Sequence, residues 1–249
     1  MLGNHWVAVG NAFFRWRSYL PLAMTPFFIT AALEVGSSLG PARWHRTPEI
    51  LGLTISLVGL IVRMLVVGTA PRGTSGRHTR RQKAATLNTR GVYSIIRHPL
   101  YLANAMIALG LATYTGHRWL PLVVATAALL YYERIVAAEE AFLEQRFGEE
   151  FQAWACRVPA MWPRLGAFVP AETRFSWRRV CRNEFHAAGV IGATTLVIEL
   201  LKHYAERGQL FVEAMSLALF AASGLMCVGG WLWKKLPDRR RLQTGAMSF

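Results

Sequence analysis

The chain of 249 residues is 53% apolar and only 17% charged, with a mean hydropathy of +0.26 and a formal net charge of +14. That balance excludes an ordinary water-soluble enzyme and points to a chain that crosses a bilayer. It also removes any need for a nucleic-acid partner, because segments that face anionic lipid headgroups carry a positive charge of this kind. Three cysteines, odd in number and widely spaced, support neither a disulfide framework nor a thiolate metal site.

The first stretch, "MLGNHWVAVGNAFFRWR", has no basic region ahead of its apolar part, so a cleaved leader is not expected. Apolar runs close to the roughly 20 residues that a bilayer demands occur at 19–39, 50–70, 100–116, 119–138, 187–205 and 210–233. They predict an all-α, polytopic integral membrane bundle of about six transmembrane helices. The third run is short. The fifth carries Glu199 and Lys202, three apart, a spacing at which the two can pair along one helix. With six spans and both termini on the cytoplasmic side, the inner segments hold 21 of the 28 Lys and Arg residues; Arg43, Arg46, Arg118 and Arg207 lie outside.

The first two spans form a hairpin around "GPARWHRTP", and a basic loop, "APRGTSGRHTRRQKAATLNTRG", comes after it. Only a tight turn around His117 and Arg118 separates the third and fourth spans, so these run antiparallel as neighbours. The start of the third span, with Arg97 and His98, is thereby brought beside the end of the fourth, with Glu133, Arg134 and the residues after them. Leu143, Phe147, Phe151 and Trp154 then recur at helical spacing and predict an amphipathic helix on the cytoplasmic membrane face. A polar linker over 164–186 leads to the last hairpin and a basic tail. Three parts result: an N-terminal hairpin (1–70), a central unit (71–163), and a linker with a C-terminal hairpin (164–249).

Chemistry concentrates at two places. In "RHP", Pro99 marks the first turn of the third span. Arg97 and His98 serve either as basic anchors or as partners of an anion, since cations sit poorly at the positive end of a helix dipole unless something negative binds there. At 100° per residue, Glu139 and Glu140 fall about −40° and +60° from Leu143, and Glu150 about −20°, on the apolar face. Carboxylates so placed are costly unless cations or donors meet them. The hairpin joins the two places into one site with both signs of charge, suited to a zwitterion such as S-adenosylmethionine.

"RHPLY", a hydrophobic stretch, "EEAFLEQRFGEEFQAW" and "RVP" together resemble the integral-membrane methyltransferase family of isoprenylcysteine carboxyl methyltransferase and phospholipid methyltransferase. The resemblance covers about residues 87–163. It implies a cytoplasmic-side cradle for S-adenosyl-L-methionine formed by Arg97, His98, Pro99, Tyr101, Asn104, Glu139 and Glu140, with no Rossmann fold and no metal. Ala103 departs from the pattern, which has glycine there. The resemblance also implies an arginine near the end of the fourth span that holds the acceptor anion, which maps to Arg134, whose other reading is a positive-inside anchor; for an amine acceptor the catalytic base would be Glu139, Glu140 or His98. The acceptor would be a lipid or lipidated molecule entering from the bilayer and offering a carboxylate, phosphate or amine. Two other readings stand beside this one: a membrane scaffold or small transporter using Glu34, Glu199, Lys202 and Glu213, and a nicotinamide-dependent reductase of the sterol type.

Overall fold

A computed structural model describes residues 2–17, 19–37, 46–71 and 86–235. Most of the basic loop after the second span, the turn at 38–45 and the tail from 236 lie outside the described residues. The described residues form eight α-helices: α1 (Leu2–Trp16), α2 (Thr25–Ser37), α3 (Arg46–Thr69), α4 (Pro99–Tyr114), α5 (Leu120–Phe147), α6 (Glu149–Ala155), α7 (Trp177–Arg207) and α8 (Ala214–Lys235). Among them no strand occurs beyond one isolated bridge between Gly91 and Val169. The all-α class is as expected. Helices α3, α5, α7 and α8 are long and apolar enough to cross a membrane, while α2 and α4 are apolar but shorter. Four of the six predicted spans are thus full-length helices, while the runs at 19–39 and 100–116 form helices too short to count as spans by length. Leu57, Ile61, Leu129, Val190, Val197 and Leu225 point outward from the long helices, as side chains of a multi-pass membrane protein do where lipid replaces water.

Small residues set the spacing of the bundle. A Cβ on Gly52 would collide with Gly110 O, and one on Gly110 would collide with Ser56 Oγ, so α3 and α4 touch backbone to backbone. Close approach of this kind replaces the hydrophobic drive that helices lack in lipid. Ala103 belongs to the same seam: it is fully buried, and its carbonyl faces the space that a Cβ on Gly59 would fill.

Helix α4 has 16 residues, about 24 Å, against a hydrocarbon core of roughly 30 Å. Its last residue, Tyr114, lies opposite Gly52, more than a turn inside α3, so α4 ends within the bundle. Its terminal carbonyls need donors there. Lys202 Nζ donates to Tyr114 O at 3.1 Å and to Glu49 Oε1 at 3.0 Å, and Tyr114 Oη donates to Glu199 Oε1 at 2.7 Å. Glu199 and Lys202 thus pair across helices rather than with each other along α7.

Two further elements differ from expectation. Residues 2–16 form a helix, and α1 lies along α5. The linker at 164–186 is helical from Trp177, because Ser176 caps α7 by accepting from Arg179 N. The rest of the linker is strapped to the end of α3. Ser176 N donates to Gly68 O at 3.0 Å, Thr173 Oγ1 to Thr69 O, and Arg179 to Ala70 O. Helix α7 then packs on α2, α3 and α8, so the first and last parts of the chain form one bundle.

Candidate active site

The predicted amphipathic helix is two pieces. Helix α5 continues to Phe147, and Gly148, at φ +51°, turns the chain into α6, a conformation open to glycine at little cost. Phe151, Trp154 and Val158 bury themselves against Leu87, Tyr93, Leu143 and Phe147. The apolar face is thus covered by the chain itself and not by lipid. Glu150, past the turn, is exposed.

This small core positions the "RHP" stretch. Trp154 Nε1 donates to Tyr93 O at 3.2 Å. Arg97 N donates to Pro159 O at 2.9 Å, His98 N to Ala160 O at 3.2 Å, and Arg97 Nη1 to Ala155 O at 2.7 Å. The backbone after α6 therefore holds the entry to α4, where His98 is the N-cap and Pro99 the first helical residue.

Both glutamates turn toward that entry. His98 lies between them, with Nε2 2.9 Å from Glu140 Oε1 and Nδ1 3.5 Å from Glu139 Oε2. Glu140 Oε1 also stands 2.9 Å from Arg97 Nε, a charge contact rather than an aligned hydrogen bond. The His98 side chain is 4% exposed, whereas those of Glu140 and Glu139 are 25% and 32% exposed. The histidine is locked in place, and Glu139 has the most open surface of the three.

The His98 pKa is raised from 6.5 to about 9. Burial alone would lower it, but hydrogen bonds and charge attraction from Glu139 and Glu140 outweigh that cost. A raised histidine stabilises the fold below its ordinary pKa, and that contribution is lost as pH climbs through the folded value. The melting temperature in detergent is accordingly expected to fall between about pH 6.5 and 9, more steeply in the wild type than in His98→Gln. Parallel pH profiles for the two proteins would refute the assignment.

Tyr101 stacks on His98 with ring centroids 5.7 Å apart, and Tyr132 stacks on Tyr101 at 5.2 Å. Asn104, one turn further along α4, contacts Arg63 of α3. Six of the predicted residues, Arg97, His98, Pro99, Tyr101, Glu139 and Glu140, meet at one point, and Asn104 borders it one helical turn beyond Tyr101.

Arg134 is not brought there. Its guanidinium lies 3.5 Å from the ring centroid of Trp6 in α1, and its Nη1 donates to Glu133 Oε2 at 3.0 Å. Five residues along a helix turn a side chain by about 140°, so Arg134 faces α1 while Glu139 faces His98. Arg17, just past α1, does come within electrostatic reach of Glu139 and Tyr101.

The sequence reading also missed Tyr93, whose phenol is pushed up by burial and then by the charge of Glu139, and Tyr132. Tyr132 precedes Glu139 by two helical turns, so the same angular count that placed Glu139 could have found it.

Residues 73–150 match the phospholipid methyltransferase family. The nickel-cobalt-cadmium resistance protein NccN of Alcaligenes xylosoxydans xylosoxydans is 32% identical over 70% of this chain and 79% of its own length. Protein-S-isoprenylcysteine O-methyltransferase B of Arabidopsis thaliana is 31% identical over 44% of this chain and 56% of its own. This chain belongs to the integral-membrane methyltransferase family of isoprenylcysteine carboxyl methyltransferase and phospholipid methyltransferase.

A further relative is the cobalt-zinc-cadmium resistance protein CzcN of Cupriavidus metallidurans, 34% identical over 57% of this chain and 61% of its own length. The chain thus spans about three fifths of that relative. No solved structure matches it. The family's matched segment contains Arg97, His98, Tyr101, Glu139 and Glu140, but neither Arg63 nor any residue of α7.

Proposed function

We propose that the chain transfers a methyl group from S-adenosylmethionine to a lipid or lipidated acceptor that reaches the site from the bilayer. The observation that carries this reading is the His98 clasp, in which two carboxylates meet Arg97 and His98 beside the Tyr101–Tyr132 stack. Such a donor set fits the cofactor. The more open carboxylate, Glu139, suits its ammonium group. Arg97 and Arg17 suit its carboxylate, and the faces of Tyr101 and Tyr132 suit a sulfonium or a ring.

When bound, the cofactor supplies an electrophilic methyl group for in-line displacement. The chain's part is to bind, orient and exclude water. A carboxylate or phosphate acceptor is already ionised at neutral pH, so no residue need take a proton, and the contribution of the site is positioning and desolvation. An amine acceptor would need a base, and Glu139 is the most open candidate.

The positive-inside pattern supports a cytoplasmic location for this end of the bundle, which carries Arg90, Arg97, Arg157, Arg164 and Arg174. The metal resistance in the names of two relatives adds no metal to this proposal. Among the described residues no group of three or more His, Cys, Asp or Glu stands together that could hold an ion.

Two measurements test the reading. Calorimetry on the detergent-purified protein is expected to show binding of S-adenosylhomocysteine. Incubating membranes that contain the protein with methyl-labelled cofactor is expected to label a lipid or lipidated-protein fraction. A folded protein that binds nothing in several detergents, or membranes that take up no label, would overturn it.

A further inference from the structure

Beyond the matched segment, one buried charged group points at the cradle from the C-terminal hairpin. Glu184, two turns into α7, is 1% exposed. It grips Arg63 of α3 with both oxygens: Arg63 Nε donates to Oε2 at 2.6 Å and Nη2 to Oε1 at 3.2 Å. Arg63 Nη1 donates to Asn104 Oδ1. An amide has one acceptor side and one donor side. With its oxygen committed to Arg63, Asn104 is held one helical turn beyond Tyr101 on the same face of α4. Tyr132 stacks on Tyr101, and Tyr101 on His98.

We propose that Glu184 is a positioning residue for the cofactor cradle, acting through Arg63 and Asn104 on the Tyr132–Tyr101–His98 stack. The inference rests on the methyltransferase reading of that cradle and adds to it a role for the C-terminal hairpin. The physical case is a matter of alternatives. A fork-shaped guanidinium can be oriented by a two-point carboxylate. Once Glu184 is neutral, Arg63 keeps only its bond to Asn104, and the Asn104 side chain, one turn from Tyr101 on α4, is no longer fixed from behind. A lone carboxylate at this depth is expensive, and an Arg–Glu pair meant only for packing could be replaced by apolar side chains at little cost. The placement of Glu184 two residues, Arg63 and Asn104, away from the tyrosine stack supplies a reason for keeping it.

The test uses the full chain in detergent, with S-adenosylhomocysteine as the probe in calorimetry. Glu184→Gln, which keeps the shape, is expected to weaken binding about tenfold, with Glu184→Asp recovering part of the loss. Tyr132→Phe removes one oxygen from the far end of the chain of contacts and is expected to weaken binding severalfold, which keeps the test open if Glu184→Gln does not fold. Glu199→Gln is the control. It is equally buried in α7 but at the other end of the bundle, and is expected to lower the melting temperature with affinity unchanged. Glu184→Gln and Tyr132→Phe that both bind like the wild type, or Glu199→Gln weakening binding as much as Glu184→Gln, would overturn the inference. A wild type that binds nothing would overturn the methyltransferase reading itself, and the inference with it.

Discussion

Glu140→Gln is expected to lower methyl transfer by about a hundredfold or more and to lower the melting temperature as well. One oxygen of Glu140 faces both Arg97 Nε and His98 Nε2 at 2.9 Å. An amide there would leave two cations side by side, with only Glu139, 3.5 Å from the imidazole, to offset them. Removing one partner from a buried charge set costs about 3–5 kcal/mol, which is a factor of a hundred or more. Part of that cost falls on the fold, because the same contacts hold the entry to α4.

Glu139→Gln is expected to behave differently. Its carboxylate is the more exposed of the two and the more distant from His98, so the melting temperature should fall less than in Glu140→Gln while the affinity for S-adenosylhomocysteine falls sharply. The pair of variants therefore separates holding the site from using it. Activity of Glu140→Gln within about threefold of the wild type would refute the role given to the clasp, since a hundredfold is the size that a buried unpaired charge implies. Equal losses of stability in both variants would refute the division of labour between the two glutamates.

The clasp was largely legible in the sequence because its parts are local. The short turn between α4 and α5 forces Arg97 and His98 next to the end of α5, and the helical period turns Glu139 and Glu140 the same way. Both inferences need only chain connectivity and 3.6 residues per turn. The parts that were not legible depend on distant partners. Arg134 sits close in sequence to Glu139, but α1 packs along α5 and Trp6 takes its guanidinium. Helix α1 lies close against α5, since a Cβ on Gly10 would collide with Arg134 O.

Arg63 falls within the apolar run at 50–70 and Glu184 within the polar linker at 164–186, so neither is drawn to the site by its place in the sequence. Ser176 was a cap signal within that linker, and reading it would have started α7 early enough to put Glu184 inside the bundle. The amphipathic helix failed at one residue, Gly148. A positive φ there redirects Phe151 and Trp154 onto the protein's own 87–93 segment, while Leu143 and Phe147 keep the face that the period assigned.

Lys202→Met is expected to be the most destabilising single change outside the site. Lys202 and Glu49 are partners across 153 positions of chain, both buried, and the ammonium also meets the last carbonyl of the short helix α4. A methionine fills the volume but leaves Glu49 without its cation and Tyr114 O without its donor, near a second carboxylate, Glu199. Breaking a buried pair from one side costs about 3–5 kcal/mol. For a chain of this length that is a fall of about 10 °C in melting temperature.

Glu49→Gln combined with Lys202→Met removes both charges, so the double variant should recover much of the loss, a coupling that a double-mutant cycle reads directly. Glu49 lies 20 residues along α3 from Thr69, about 30 Å, so affinity for S-adenosylhomocysteine per folded molecule should stay at the wild-type level. Additive losses in the double variant would show that the two groups do not act as a pair. A fall in ligand affinity with Lys202→Met would show that the two ends of the bundle are coupled, and would weaken the separation between the buried Lys202 cluster, which holds the short helix in place, and the clasp at its other end.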